Sequence, residues 1–235
     1  MYRAAGIVLV LLIGACAVPN ARATQVTTYG SGLKPCGAYA AARNSDTADI
    51  VTFTDWLGGY LSGVNTASKH RDNLLGEAEF KGAMYWLDQF CRTHPDIHFA
   101  DAVGVMLIGA KSGPTAHTVE VTSYGSGHKS CQKYLESREQ QSIKAYLQAH
   151  AWENVDAAQF VDWLGGYVSG VNAISSATDN VLGNTGLADA VYWLDNYCSA
   201  HPPATFSAAV EALVDASLSD KRQDVAQAQP RPGHP

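Results

Sequence analysis

The chain has 235 residues, 46% of them hydrophobic and only 16% charged, enough apolar material for one or two ordinary cores and too much for a disordered or fibrous chain. Sixteen Lys and Arg against 22 Asp and Glu give a formal net charge of −6, which leaves no phosphate-neutralising surface and excludes nucleic acid as an expected partner.

At the N-terminus Arg3 precedes the apolar run Gly6-Ile7-Val8-Leu9-Val10-Leu11-Leu12-Ile13, small residues follow, and Ala21-Arg22-Ala23 supplies an A-x-A site. This order of charge, short apolar core and small-residue cleavage site predicts a secretory signal peptide over residues 1–23. The run is shorter than the ~20 residues needed to cross a bilayer, and no later segment is longer, so no transmembrane helix is expected. Ile13-Gly14-Ala15-Cys16 also has the form of a lipobox, the alternative in which Cys16 becomes a lipid anchor. Cleavage after Ala23 is the preferred reading. It predicts a periplasmic or secreted protein and leaves Cys36, Cys91, Cys131 and Cys198, an even number suited to two disulfides.

The sequence repeats itself. Tyr29-Gly30-Ser31-Gly32 recurs as Tyr124-Gly125-Ser126-Gly127, and Cys36 as Cys131. Asp55-Trp56-Leu57-Gly58-Gly59-Tyr60 recurs as Asp162-Trp163-Leu164-Gly165-Gly166-Tyr167, with Ser62-Gly63-Val64-Asn65 matching Ser169-Gly170-Val171-Asn172. Asp72-Asn73, Tyr85-Trp86-Leu87-Asp88, Cys91 and His94-Pro95 return as Asp179-Asn180, Tyr192-Trp193-Leu194-Asp195, Cys198 and His201-Pro202. The second copy carries an insertion around residues 142–154, whose Ile143, Tyr146 and Leu147 suggest a longer first helix. Four cysteines admit three pairings. One bridge inside each copy, Cys36 to Cys91 and Cys131 to Cys198, is the simplest, and pairing across the copies is the less economical alternative.

Within each copy the apolar period is helical. Phe53, Trp56, Leu57, Tyr60, Leu61 and Val64 fall on one stripe, as do Phe160, Trp163, Leu164, Tyr167, Val168 and Val171. A helix from about Phe80 to Arg92 should stop before His94-Pro95, because proline disfavours helical geometry in the residue before it. Another begins near Asp96 and carries Phe99, Ala102, Val103, Met106 and Leu107, matched by Phe206, Ala209, Val210, Leu213 and Val214. With a first helix at each leading cysteine, the expected fold is all-α: two tandem homologous four-helix domains, each with one internal disulfide, over residues 24–112 and 118–218. Gly113-Pro114 marks the linker, and residues 219–235, with three prolines, are expected to form a disordered tail.

The repeated D-W-L-G-G-Y-x-S-G-V-N stretch is the most specific feature. Gly59 and Gly63, like Gly166 and Gly170, lie four apart on one helix face at a cost of up to ~1 kcal/mol each against alanine. Close approach of another helix backbone is the usual compensation, and a ligand in that groove is the alternative. Trp56, Tyr60, Asn65 and Asp72, with Trp163, Tyr167, Asn172 and Asp179, join the glycines as a candidate binding surface, although the tryptophans, Trp86 and Trp193 included, read first as core. The Asp-Asn pairs have the chemistry of turns or caps, since their side chains bond nearby amides. His94 and His201 precede proline at a helix end, where an imidazolium complements terminal carbonyls. C-x-x-C and zinc spacings, a G-x-S-x-G elbow, a P-loop and an EF-hand loop are all missing from the sequence, so neither a metal nor a cofactor is expected.

Cys36 and Cys91 with Phe99-Ala100-Asp101-Ala102-Val103, and Cys131 and Cys198 with Phe206-Ser207-Ala208-Ala209-Val210, give each half the outline of a small exported helical domain. Its first helix carries one cysteine, and the second cysteine closes the third helix. This resembles the HdeA/HdeB type of periplasmic acid-stress protein, and the Trp-Leu-Gly-Gly-Tyr and Trp-Leu-Asp segments depart from it. In outline it is also similar to the small disulfide-bonded immunity proteins of the Tai type. The first resemblance implies a chaperone that loosens at low pH and exposes apolar surface to unfolded clients, the second a module that binds one specific protein partner. A non-enzymatic protein is therefore expected. A third reading, a hydrolase or sugar-binding protein, would use the polar set Asp55, Ser62, Asn65 and Asp72.

Overall fold

The computed structural model describes residues 26–45, 49–68, 73, 75, 79–110, 123–138, 155–175 and 178–228. The expected signal peptide with Cys16, the Gly113-Pro114 linker, the 142–154 insertion and Asp72 lie outside the described residues.

Eight α-helices are described, and no β-strand accompanies them among the described residues. In the first repeat α1 is Cys36–Ser45, α2 is Asp49–Ala67, α3 is Glu79–Thr93 and α4 is Phe99–Ala110. In the second, α5 is Cys131–Arg138, α6 is Val155–Ile174, α7 is Leu187–Ala200 and α8 is Phe206–Ala228. A short 3-10 turn precedes each leading helix, at Gly30–Leu33 and at Gly125–His128. The disulfides are Cys36–Cys91 and Cys131–Cys198, one inside each repeat. Each ties the start of the first helix to the third, and a backbone bridge, Pro35 to His98 or Ser130 to Thr205, closes the same end.

The two cores are built alike. In the first, Tyr39 stacks on Phe99 at 4.8 Å between ring centres, and Phe53 and Trp56 meet Phe99 edge-on. In the second, Tyr134 and Phe206 are again 4.8 Å apart, with Phe160 and Trp163 placed as their counterparts. Each tyrosine hydroxyl leaves its core toward a carboxylate on the third helix: Tyr39 donates to Asp88 at 2.6 Å and Tyr134 to Asp195 at 2.7 Å. Arg43 and Arg138 complete these clamps with two nitrogens each. Burial, then the carboxylate, pushes the Tyr39 hydroxyl well above the usual phenol range. At Asp88 partial burial acts upward, but the bonds from Arg43 and Tyr39 and the charges of Arg43 and Arg92 outweigh it and hold the carboxyl below its ordinary value.

Two expectations change. Helix α8 runs to Ala228, through the stretch expected to be a tail from Ser219. Lys221 anchors the start of the extension: its ammonium donates to Thr178 Oγ1 at 3.2 Å and to the Asn180 carbonyl, holding this part of the helix against the 178–183 turn. Trp86 and Trp193 pack against the two cores but at their edge, where each is only part-buried. Trp86 stacks on Phe90 and Phe90 on His94, and Trp193, Tyr197 and His201 repeat the ladder. Each histidine closes its helix, with Nδ1 bonding the carbonyl of Phe90 at 3.1 Å or of Tyr197 at 2.9 Å.

Candidate functional site

The repeated motif residues gather where α2 crosses α6. A Cβ on Gly59 would lie 2.0 Å from the Trp163 carbonyl oxygen, and one on Gly166 would lie 2.0 Å from that of Trp56. Gly63 and Gly170 face the Tyr167 and Tyr60 carbonyl oxygens at 2.2 and 2.3 Å in the same sense. The glycines thus admit a helix backbone, as their spacing suggests, and that backbone belongs to the other repeat. At these residues the candidate binding surface is an interior: Trp56, Trp163, Asn65 and Asn172 are at most 1% exposed, and Tyr60 and Tyr167 are buried. Burial pushes the Tyr60 hydroxyl up to about 12.

The Y-G-S-G segments complete the crossing by exchange. Tyr29 takes the indole N–H of its own Trp56 on its carbonyl at 2.6 Å, while its amide donates to Ser169 Oγ of the other repeat at 2.9 Å. Its hydroxyl donates to Asn180 Oδ1 at 3.0 Å. Gly30 follows with a φ of 63°, a left-handed geometry that glycine adopts without penalty, and this turns the Ser31 amide onto Asp162 at 2.8 Å. Gly32 lies flat against the Trp56 ring, where a Cβ would fall 2.2 Å from Cζ2. The second segment mirrors the first. Trp163 donates to the Tyr124 carbonyl at 2.6 Å, the Tyr124 amide to Ser62 Oγ at 3.2 Å and its hydroxyl to Asn73 at 3.2 Å, and the Ser126 amide to Asp55 at 2.7 Å.

Asn180 and Asn73 accept those tyrosines while bonding their own turns, through the Leu182 and Leu75 amides. Asn172 donates to the Thr27 carbonyl at 2.9 Å and accepts the Val181 amide at 2.7 Å. Asp179 is exposed, and its backbone carbonyl receives the Thr27 amide. Asp55 and Ser62, two of the three described members of the hydrolase or sugar-binding set, are thus spent on the other repeat's arm, and the third, Asn65, is buried. Among the described residues neither Asp55 nor Asp162 belongs to a salt bridge. Burial raises both carboxyls, that of Asp162 to about 6, against the downward pull of the serine donors.

The surface carries a second repeated pair, alongside the exposed and unrepeated Leu33, Val105 and Ile108. Tyr85 is 69% exposed and Tyr192 is 59% exposed, each beside its part-buried tryptophan. Neither hydroxyl has a hydrogen-bond partner among the described residues. The sequence offers the two tyrosines only as part of a repeated segment whose tryptophans read as core; the signal for their exposure is their place in the helical period of α3 and α7. No group of three or more His, Cys, Asp or Glu side chains is placed to hold a metal among the described residues, and no described helix is long and apolar enough to cross a membrane. No known family model matches the chain, and no curated protein or solved structure is similar enough to match it.

Proposed function

We propose that this is an exported, non-enzymatic protein, periplasmic or secreted, that works by binding another protein through its folded surface. The observation that carries the reading is the exposed tyrosine beside a part-buried tryptophan at the same place in both repeats. Such side chains combine a large apolar body with a polar tip, the composition that dominates the energetic centres of protein interfaces. Asp55 and Ser62, which would serve a hydrolase, are by contrast engaged in the interior. A scaffold closed by two disulfides would present both faces without the ordering cost that weakens flexible binders.

The test is capture by the full chain at neutral pH from an exported-protein extract, with the double variant Tyr85→Ala/Tyr192→Ala beside it. One saturable, stoichiometric partner that the double variant loses, at unchanged melting temperature, supports the reading. A partner held equally by the variant contradicts it. The acid-chaperone reading is kept as second because one observation favours it: the α1–α3 clamp holds Asp88 below its ordinary value, so the clamp weakens in acid. Light scattering of an acid-sensitive client at about pH 2–3 decides that version, and no suppression of aggregation removes it.

A further inference from the structure

Asp55 and Asp162 are the two carboxylates enclosed at the crossing, 7% and 3% exposed, and each receives the arm that reaches over from the other repeat. The charged groups around them are few. Asp162 on α6 faces Lys34, which follows the first arm, and Asp55 from α2; Asp55 faces Lys129, which follows the second arm. Both lysines are drawn aside. Lys34 Nζ sits 5.2 Å over the Phe53 ring, and Lys129 Nζ sits 5.2 Å over Phe160 while donating to Gln159 at 2.6 Å. The carboxylates therefore hold buried negative charge against one another with amide donors as their main support, an arrangement that costs stability while both are ionised.

We propose that these two carboxyls form an acid-tightened clasp, in which taking up a proton at the crossing strengthens the hold of one repeat on the other. The geometry permits it without rearrangement. A neutral carboxyl keeps a carbonyl oxygen for the serine amide, and it loses both the burial cost and the mutual repulsion of the ionised pair. A group whose folded pKa stands above its unfolded value binds its proton more tightly when folded, so stability rises as pH falls through the folded value. For Asp162 that window opens near 6 and closes at the ordinary Asp range, about pH 4. This goes beyond the binding function and has the opposite sign to the acid loosening of the Asp88 clamp, which sets in below about pH 4.

The experiment is thermal unfolding of the full oxidised chain at pH 7.5 and pH 5, with Asp162→Asn alongside. The wild type should melt about 3–6 °C higher at pH 5, and Asp162→Asn, which is neutral at both pH values, should lose most of that rise. A carboxyl-carbon NMR titration of the wild type provides a readout that does not depend on the variant folding, with the Asp162 midpoint expected near 6. A wild-type melting point that is flat or lower at pH 5, or an Asp162 carboxyl that titrates in the ordinary range, overturns the proposal.

Discussion

Replacing Gly166 with alanine adds one methyl group at the centre of the crossing, 2.0 Å from the Trp56 carbonyl oxygen and 2.9 Å from both the Trp56 carbonyl carbon and the Tyr60 amide nitrogen. All three neighbours are backbone atoms, so no side-chain rotation relieves the overlap. Restoring ordinary contact requires the helices to part by roughly 1.5 Å, which also lengthens the arm bonds at Tyr29 and Tyr124. Overpacking of this kind costs about 3 kcal/mol at the upper end of its usual range, and alanine returns up to about 1 kcal/mol of helix propensity, leaving a net loss near 2 kcal/mol. Gly104→Ala is the matched control. It too lies mid-helix, but a Cβ there meets nothing within 4 Å, so the propensity term acts alone and the variant should gain about 0.5–1 kcal/mol. Urea unfolding followed by tryptophan fluorescence reads both, since Trp56 and Trp163 flank the crossing. The reasoning is refuted if Gly166→Ala matches or exceeds the wild type while Gly104→Ala behaves as expected.

Removing Asn180 with alanine should strand the Tyr29 hydroxyl and the Leu182 amide and cost about 1–3 kcal/mol in the same unfolding assay, with Tyr29→Phe recovering part of the loss in the double variant. Replacing both Cys36 and Cys91 with alanine should cost about 2–5 kcal/mol and lower the unfolding midpoint without separating the repeats, because no crossing residue depends on the bridge. Asp88 carries the opposite pH sign from Asp162. Its lowered folded value supplies stability that is present above the ordinary Asp range and lost as pH falls below it, so Asp88→Asn should flatten the acid limb of a stability profile below about pH 4 and leave the pH 5 to 7.5 interval unchanged.

Much of this architecture is written locally. The apolar stripes around Phe53 and Phe160 mark the central helices, and the equivalence of Cys36 with Cys131 and of Cys91 with Cys198 favours the pairing that forms. Gly59 and Gly63 announce a close backbone approach, because their spacing and helical cost need some compensation. Which backbone approaches is not written there, since helical periodicity says nothing about the partner. The arms are less legible still. Their decisive donors are the amides of Tyr29, Ser31, Tyr124 and Ser126, and every residue type except proline carries that group. Asp55 and Ser62 consequently read as free polar chemistry when they are acceptors for a distant segment. Helix α8 outran its expected end for a similar reason, because the bond that fixes it is made by Lys221 to a turn far away in sequence.

Cutting the chain once between residues 111 and 122, with both disulfides intact, tests the interlocked crossing most directly. The account predicts that the halves stay together as one species of the uncut mass, 25.0 kDa for the full sequence less any processed leader, by native mass spectrometry at micromolar concentration. Two separate, independently folded halves under those conditions would contradict it.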